Sequence, residues 1–172
     1  MLLLNNSLSD KKIFSIREGR PIATIIKTLI QPNNLKIEGF FVQDNISKSV
    51  RILLNQDIRE INKDGFIVND YDCLSEPKDL IRLTKIIEID YNLINKPTVT
   101  VSGKKLGKIS DFAFDTNNMF ISKLYVSQSI IRNFNGALLS VDRNQIIEIN
   151  DKKVIIDELE GTIKAAASVL AI

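Results

Sequence analysis

The sequence repeats itself, and that repetition restricts the possible folds more than any single motif does. Slid along itself by about 84 positions, the chain falls into a gapless register. Gly19 meets Gly103, Ile22 meets Leu106, Ala23 meets Gly107 and Ile25 meets Ile109. Further on, Ile30 meets Phe114 and Asn33-Asn34 meets Asn117-Asn118. Leu35, Ile37, Phe40 and Val42 then meet Met119, Ile121, Leu124 and Val126. A second block agrees at a shift of about 88, which puts a longer loop in the second copy. There Ile58, Glu60, Ile61, Asn62, Ile67 and Val68 meet Ile146, Glu148, Ile149, Asn150, Ile155 and Ile156. Identities are few, but apolar positions and turn positions agree together. A chain of 172 residues with this repeat reads as two domains, residues 1–90 and 91–172.

Within each copy the local pattern is β. Ile13, Phe14 and Ile16 sit among polar neighbours in Lys12–Arg17, as in a half-buried strand. Glu18-Gly19-Arg20-Pro21 is a turn. From Ile22 to Ile30 the apolar positions slip parity: Ile22, then Ile25 and Ile26, then Leu29 and Ile30. One extra residue near Ala23 repairs the alternation, as a β-bulge does. Gly107 holds that place in the second copy, and glycine inside a strand marks a bulge or a close backbone approach. Gln31–Asn34 and Asp115–Asn118 read as hairpin turns, because Asn accepts the left-handed conformation.

In the strands that follow, Phe40 and Val42, or Leu124 and Val126, point to one face. Phe41 and Tyr125 point to the other. Arg51–Leu54 and Ala137–Val141 lead into short polar turns. Each unit closes on a hairpin, Ile58–Ile61 with Phe66–Val68 and Ile146–Ile149 with Val154–Ile156. Ser75-Glu76-Pro77-Lys78-Asp79 predicts a helix start, with Ser75 as N-cap and Pro77 in the first turn. Lys164–Leu170 has high helix propensity and holds a similar place in the second copy. The expected fold class is mainly β, two tandem small β-barrels each followed by a short helix.

Composition narrows the function classes. A net charge of +2 is too small for the electrostatic footprint of a nucleic-acid binder. One cysteine, Cys73, cannot close an internal disulfide and suits a reducing compartment. No apolar run reaches the length of a membrane span. Met1–Leu4 is too short for a signal-peptide core, so a cytoplasmic protein is expected.

The chain has no histidine, which removes the commonest general acid/base and zinc ligand. Cys73 lacks an imidazole partner and reads as a half-buried small residue. No phosphate-binding loop or dinucleotide fingerprint is present, and no catalytic, cofactor or metal residues are assigned. Asp70 and Asp72 would share a strand face and could hold a hard cation, although solvated edge carboxylates are the plainer reading. Gly103-Lys104-Lys105 with Lys108 could take a phosphate, but no helix N-terminus follows that turn. The candidate interaction surface is aromatic. It comprises Phe41 and Tyr125 on the outward strand faces and Phe134 in the longer loop of the second copy, the competing reading of Phe41 and Tyr125 being that they cover the other barrel or the helices of the same chain.

The stretch Val99-Thr100-Val101-Ser102-Gly103-Lys104-Lys105-Leu106-Gly107-Lys108-Ile109-Ser110-Asp111 resembles the opening of a PRC-barrel domain. That family begins with a strand, a Gly-bearing turn, an apolar-Gly-basic-apolar step and an Asp. The first copy departs from it, with Ala23 for the strand glycine, Thr24 for the basic residue and Lys27 for the Asp. The resemblance implies two PRC-type barrels that bind other macromolecules without catalysis, as an adaptor would. One family member joins a barrel of this type to a different domain in a ribosome-maturation factor. An association with ribosomes or RNA is therefore a second expectation. A small-ligand binder or enzyme is a third. A protein partner is the first expectation, and the oligomeric state is left open.

Overall fold

A computed structural model describes residues 1–127 and 138–157. The protein is mainly β, and its chain divides into two compact units. The first comprises Met1–Tyr91 together with Asp115–Phe120, and the second Asn92–Phe114 and the chain from Ile121 onward.

The first unit holds β1 (Leu2–Leu4), β2 (Lys12–Ser15), β3 (Arg20–Gln31), β4 (Lys36–Asp44), β5 (Val50–Leu54), β6 (Ile58–Ile61), β7 (Gly65–Val68) and β8 (Leu74–Ser75). Single 3₁₀ turns at Pro77–Asp79 and Ile81–Leu83 then lead into one short helix, α1 (Thr84–Ile89). The second unit holds β9 (Pro97–Thr100), β10 (Lys105–Asp115), β11 (Ile121–Ser127), β12 (Leu138–Asp142), β13 (Ile146–Ile149) and β14 (Val154–Ile156). The last residue of β10 falls in the segment grouped with the first unit.

Ser75 is not the helix cap that the sequence predicts. Its backbone is already committed to β8, opposite Ile52 of β5. Glu76 stands at the cap position of the first 3₁₀ turn, without a side-chain bond. The second expected helix, Lys164–Leu170, and the loop residue Phe134 lie outside the described residues.

Each unit carries one sheet, and the two sheets have the same connectivity. In the first the strand order is β6-β7-β2-β3-β4-β5-β8. In the second the main path is β13-β14-β9-β10-β11-β12. In both, the opening strand lies parallel to the closing strand, β2 beside β7 and β9 beside β14. All the other pairings along these two paths are antiparallel.

Breaks in register recur at matched positions. The β3–β4 ladder skips between Ile25 and Lys27 and again between Leu29 and Ile30. The β10–β11 ladder skips between Ile109 and Asp111 and again between Ala113 and Phe114. On its other edge β3 skips Ile22 against β2, and β10 skips Leu106 against β9. Each long strand is therefore bulged on both edges, which bends it and raises its twist. The parity slip seen in the sequence is this pair of bulges, one on either side of Ala23.

The turns match as well. Leu35 and Met119 both take positive φ, 54° and 60°, and their N–H groups close turns onto Gln31 O at 2.9 Å and Asp115 O at 2.8 Å. Asn34 and Asn118 each accept the N–H two residues on, both at 2.9 Å. Asn62 and Asn150 each accept two N–H groups of their own hairpin turns. Short Asn side chains do this well because they reach the backbone directly ahead of them.

The inward faces are filled. In the first unit Ile13, Ile22, Phe40, Val42, Leu53, Phe66 and Val68 are fully buried. Phe40 and Phe66 meet edge to face at 4.9 Å. In the second, Phe112, Phe114, Leu124, Val126, Val141, Val154 and Ile156 are buried in the same way.

Gly107 shows why one position of the long strand tolerates no side chain. Its φ is 149°, and a Cβ there would collide with the Ser127 carbonyl oxygen. Gly103 also has positive φ, 85°, but a Cβ there would meet open space. Gly107→Ala should therefore cost roughly 3 kcal/mol or more in urea unfolding, and Gly103→Ala only about 1 kcal/mol. Equal losses would contradict the close approach at Gly107.

Candidate functional site

The outward face of each sheet is where the units part company. In the first, cross-strand pairing puts Lys27, Phe41 and Ile52 in one row and Leu29, Gly39 and Leu54 in the next. In the second, the matching rows are Asp111, Tyr125 and Ser140, then Ala113, Lys123 and Asp142.

The first of these faces is covered by its own unit. Ile86 of α1 packs with Leu29, Phe41 and Ile52, and Leu54, Leu80, Leu83 and Ile87 surround them. Their spacing along the 3₁₀–α segment sends one apolar stripe down onto the strands. Lys27 completes the cover. Its ammonium sits 4.8 Å above the Phe41 ring and 2.6 Å from Asp90, the residue that ends α1 with a φ of 45°. Phe41 is left only 7% exposed. The expectation that it offers a docking surface is corrected. A large aromatic next to a segment with a free apolar stripe buries itself there, gaining about 2 kcal/mol over exposure.

Tyr125 is different. It is half-buried, with its body on the strand face and part of its surface open. Asp111 beside it is buried and accepts the Phe112 N–H at 2.9 Å. Lys123 and Asp142 form an ion pair at 3.0 Å along the next row. Where the first unit has Leu29, Ile52 and Leu54, this face has Ala113, Ser140 and Asp142. It is polar at its margins with one aromatic in the middle. Asp111 and Ala113 are buried on this face, Lys123, Tyr125 and Ser140 are half-buried, and Asp142 is exposed.

The other candidates are placed plainly. Asp70 and Asp72 do not share a strand face. Asp70 caps the 3₁₀ turn Tyr71–Cys73 by accepting the Asp72 N–H at 3.1 Å. No three His, Cys, Asp or Glu side chains group to hold a metal ion among the described residues. In the lysine turn, the N–H groups of Gly103 and Lys104 are both taken by Thr100, at 2.9 and 3.1 Å, so neither is left to cradle an anion. Burial, reinforced by the charges of Asp57 and Asp70, pushes the half-buried Cys73 thiol up to about 12. It stays protonated at neutral pH and is no nucleophile. A cleft of about 1070 Å³ opens in the first unit beside β6. Lys36, Arg59 and Arg82 alternate there with Glu38, Glu60 and Asp79, so no single-signed site converges in it.

One polar site was invisible in the sequence. Asp44, at the end of β4, is fully buried. Its carboxylate accepts the Ile46 N–H at 2.7 Å, the Ser47 hydroxyl at 2.5 Å and the Tyr71 hydroxyl. Arg51 Nε lies 3.0 Å away, as an ion pair without the alignment of a hydrogen bond. The same guanidinium stacks 5.6 Å over the Tyr71 ring and donates to Leu74 O at 3.1 Å. This network ties the loop after β4 to β5 and to the Tyr71–Ser75 segment. Asp44-x-x-Ser47 was a legible local turn signal, but nothing in sequence links it to Tyr71.

Burial alone would disfavour the Asp44 charge. The hydrogen bonds from Ser47, Tyr71 and the backbone outweigh it and hold the carboxyl at about 2, below the ordinary 3.8. A depressed carboxyl contributes its full stability above the ordinary value and loses it as pH falls through the folded value. Between about pH 5 and about pH 2, urea unfolding should show wild type losing about 2 kcal/mol more than Asp44→Asn. At neutral pH the same variant, which strands Arg51, should be less stable by roughly 3 kcal/mol. Parallel pH profiles for the two proteins would remove this network from the account of stability.

No protein-family model matches the chain, and no curated protein matches it.

Proposed function

We propose that this is a non-enzymatic interaction protein, built from one small barrel-like β unit used twice and resembling a tandem pair of PRC-barrels. The observation that carries the reading is how the two units spend their surfaces. Among the described residues both fill their inward faces with Ile, Leu, Val and Phe, the filling of a packed interior rather than of a substrate cavity. The first also roofs its outward face with its own helical segment, while among the described residues of the second the half-buried Tyr125 stands between Asp111 and Ser140. A central aromatic with polar neighbours is the usual anchor of a protein partner. The matched strand order and matched bulges support the duplication, because a bulge position is a specific structural feature and not a consequence of composition.

The test is recovery of a partner by the immobilised full chain from an extract of its native source. Wild type should retain a discrete protein at least tenfold better than Tyr125→Ala or Ser140→Arg does. Both variants should keep the wild-type circular dichroism spectrum. Phe134→Ala, the third candidate from the sequence, belongs in the same series. Phe41→Ala is the contrasting case. It should cost roughly 3 to 4 kcal/mol of stability, as deletion of a packed aromatic does. Unchanged recovery with Tyr125→Ala, Ser140→Arg and Phe134→Ala would set this surface aside.

A further inference from the structure

The turn between β6 and β7 carries a reactive pair, Asp64-Gly65. Aspartate before glycine is the sequence most open to isomerisation, because glycine has no side chain to hinder its own nitrogen. The Gly65 nitrogen attacks Asp64 Cγ and an N–Cγ bond forms. The N–H proton and the carboxyl hydroxyl leave together as water. A second water then opens the cyclic imide. Cleavage between nitrogen and Cγ restores aspartate. Cleavage at the main-chain carbonyl leaves isoaspartate, and the backbone then runs through the side-chain methylene. Water is the only co-reactant.

The fold requires the glycine of this pair. Gly65 lies opposite Lys12 in the β2–β7 pairing, and a Cβ there would collide with the Lys12 carbonyl oxygen. The turn around it is held from three directions. Asn62 Oδ1 accepts the N–H groups of Asp64 and Gly65, at 3.0 and 3.1 Å. The Asn62 N–H donates to Gly65 O at 3.0 Å. From the residue before β2, the Lys11 ammonium donates to Lys63 O at 2.6 Å. The nitrogen that would attack is therefore engaged as a donor, and its residue is buried against Lys12. It can swing onto Asp64 Cγ only when the turn opens. The second unit has the same clasp over a different pair. Asn150 Oδ1 accepts the N–H groups of Lys152 and Lys153, at 3.0 and 2.9 Å, but lysine and not glycine follows Asp151 there.

We propose that Asp64 is an isoaspartate-forming modification site that Asn62 and Lys11 keep closed, so that the product accumulates only through openings of the β6–β7 turn. The chemical class that would act on the product is a repair methyltransferase, which esterifies the isoaspartyl carboxylate with a methyl group from S-adenosylmethionine. The lengthened backbone would fall beside the Ile61–Phe66 pair that starts the hairpin ladder. Register is set by the turn, so a modified turn would loosen the strands it joins. None of this depends on a partner at Tyr125.

The test incubates the full-length chain in warm neutral buffer and follows isoaspartate by mass spectrometry of the peptide holding Asp64. Methyl transfer from S-adenosylmethionine by an isoaspartyl methyltransferase gives an independent readout. Folded wild type should form the product at least tenfold more slowly than the same chain in urea. Asn62→Ala should form it at least tenfold faster than wild type, while Asn62→Asp, which keeps an acceptor oxygen, should stay close to wild type. Lys11→Ala leaves the turn's own hydrogen bonds in place and should raise the rate severalfold. Circular dichroism checks that each variant is folded, and Lys11→Ala decides the matter where Asn62→Ala does not fold. A wild-type rate in folded Asn62→Ala or in Lys11→Ala would overturn the proposal, as would equal rates for folded and unfolded wild type.

Discussion

The bend in the long strand is the constraint on which each sheet depends. β3 and β10 pair with different neighbours along their two edges, and a flat strand would serve both poorly. Register breaks at Ile22 and beyond Ile25 release β3 from flatness, and those at Leu106 and beyond Ile109 do the same for β10. Once the strand curls, its inward residues converge and its outward residues splay. That is why Phe40, Val42 and Phe66 pack to exclusion of water from a sheet with so few strands. The bulges also have a steric condition. In the second unit the bent backbone comes so close to Ser127 that only glycine fits at position 107. In the first, Ala23 fits at the matching place and is fully buried opposite Asp44.

Much of this was legible before any coordinates. The strands around Phe40 and Leu124, the Asn turns and the parity slip near Ala23 all follow from local chemistry, and local chemistry is what sequence carries. The positive φ at Leu35 and Met119 was not legible, because those residue types disfavour it. Tertiary packing overrides the preference, since both side chains are buried and anchor the turn from beneath. Ser75 misled for a related reason. Its type suits a helix cap, but the edge of β5 offered its backbone a partner first. Phe41 was placed on the correct face. Whether that face met solvent or α1 depended on contacts across many residues, which periodicity cannot reveal.

The Asp44 network illustrates a different limit. A buried carboxylate facing a guanidinium is only weakly favourable in net terms, because desolvation opposes the attraction. Its value lies in specificity. Asp44 can satisfy its lone pairs only if Ser47, Tyr71 and the Ile46 N–H arrive together. Arg51 must also reach Leu74 O, and Leu74 begins the strand that covers β5. The network therefore selects one path for the chain between β7 and α1. An alternative path would leave a charge buried without partners.

That selected path accounts for the apolar outer surface of the first unit. In the first unit the chain, held by Arg51 and Tyr71, passes directly into Leu80, Leu83 and Ile86, and these need an apolar floor. Leu29, Phe41, Ile52 and Leu54 supply it. The second unit has Ala113, Tyr125, Ser140 and Asp142 at those places, and its Lys123–Asp142 pair would be stripped of water by an aliphatic roof. Removing water from that pair costs more than a few buried methylenes return. Under the proposed interaction role, a partner would keep the ion pair wet at the rim and bury the Tyr125 ring at the centre. Its hydroxyl can then bond outward while the ring body packs, the combination that makes tyrosine an effective anchor at partner surfaces.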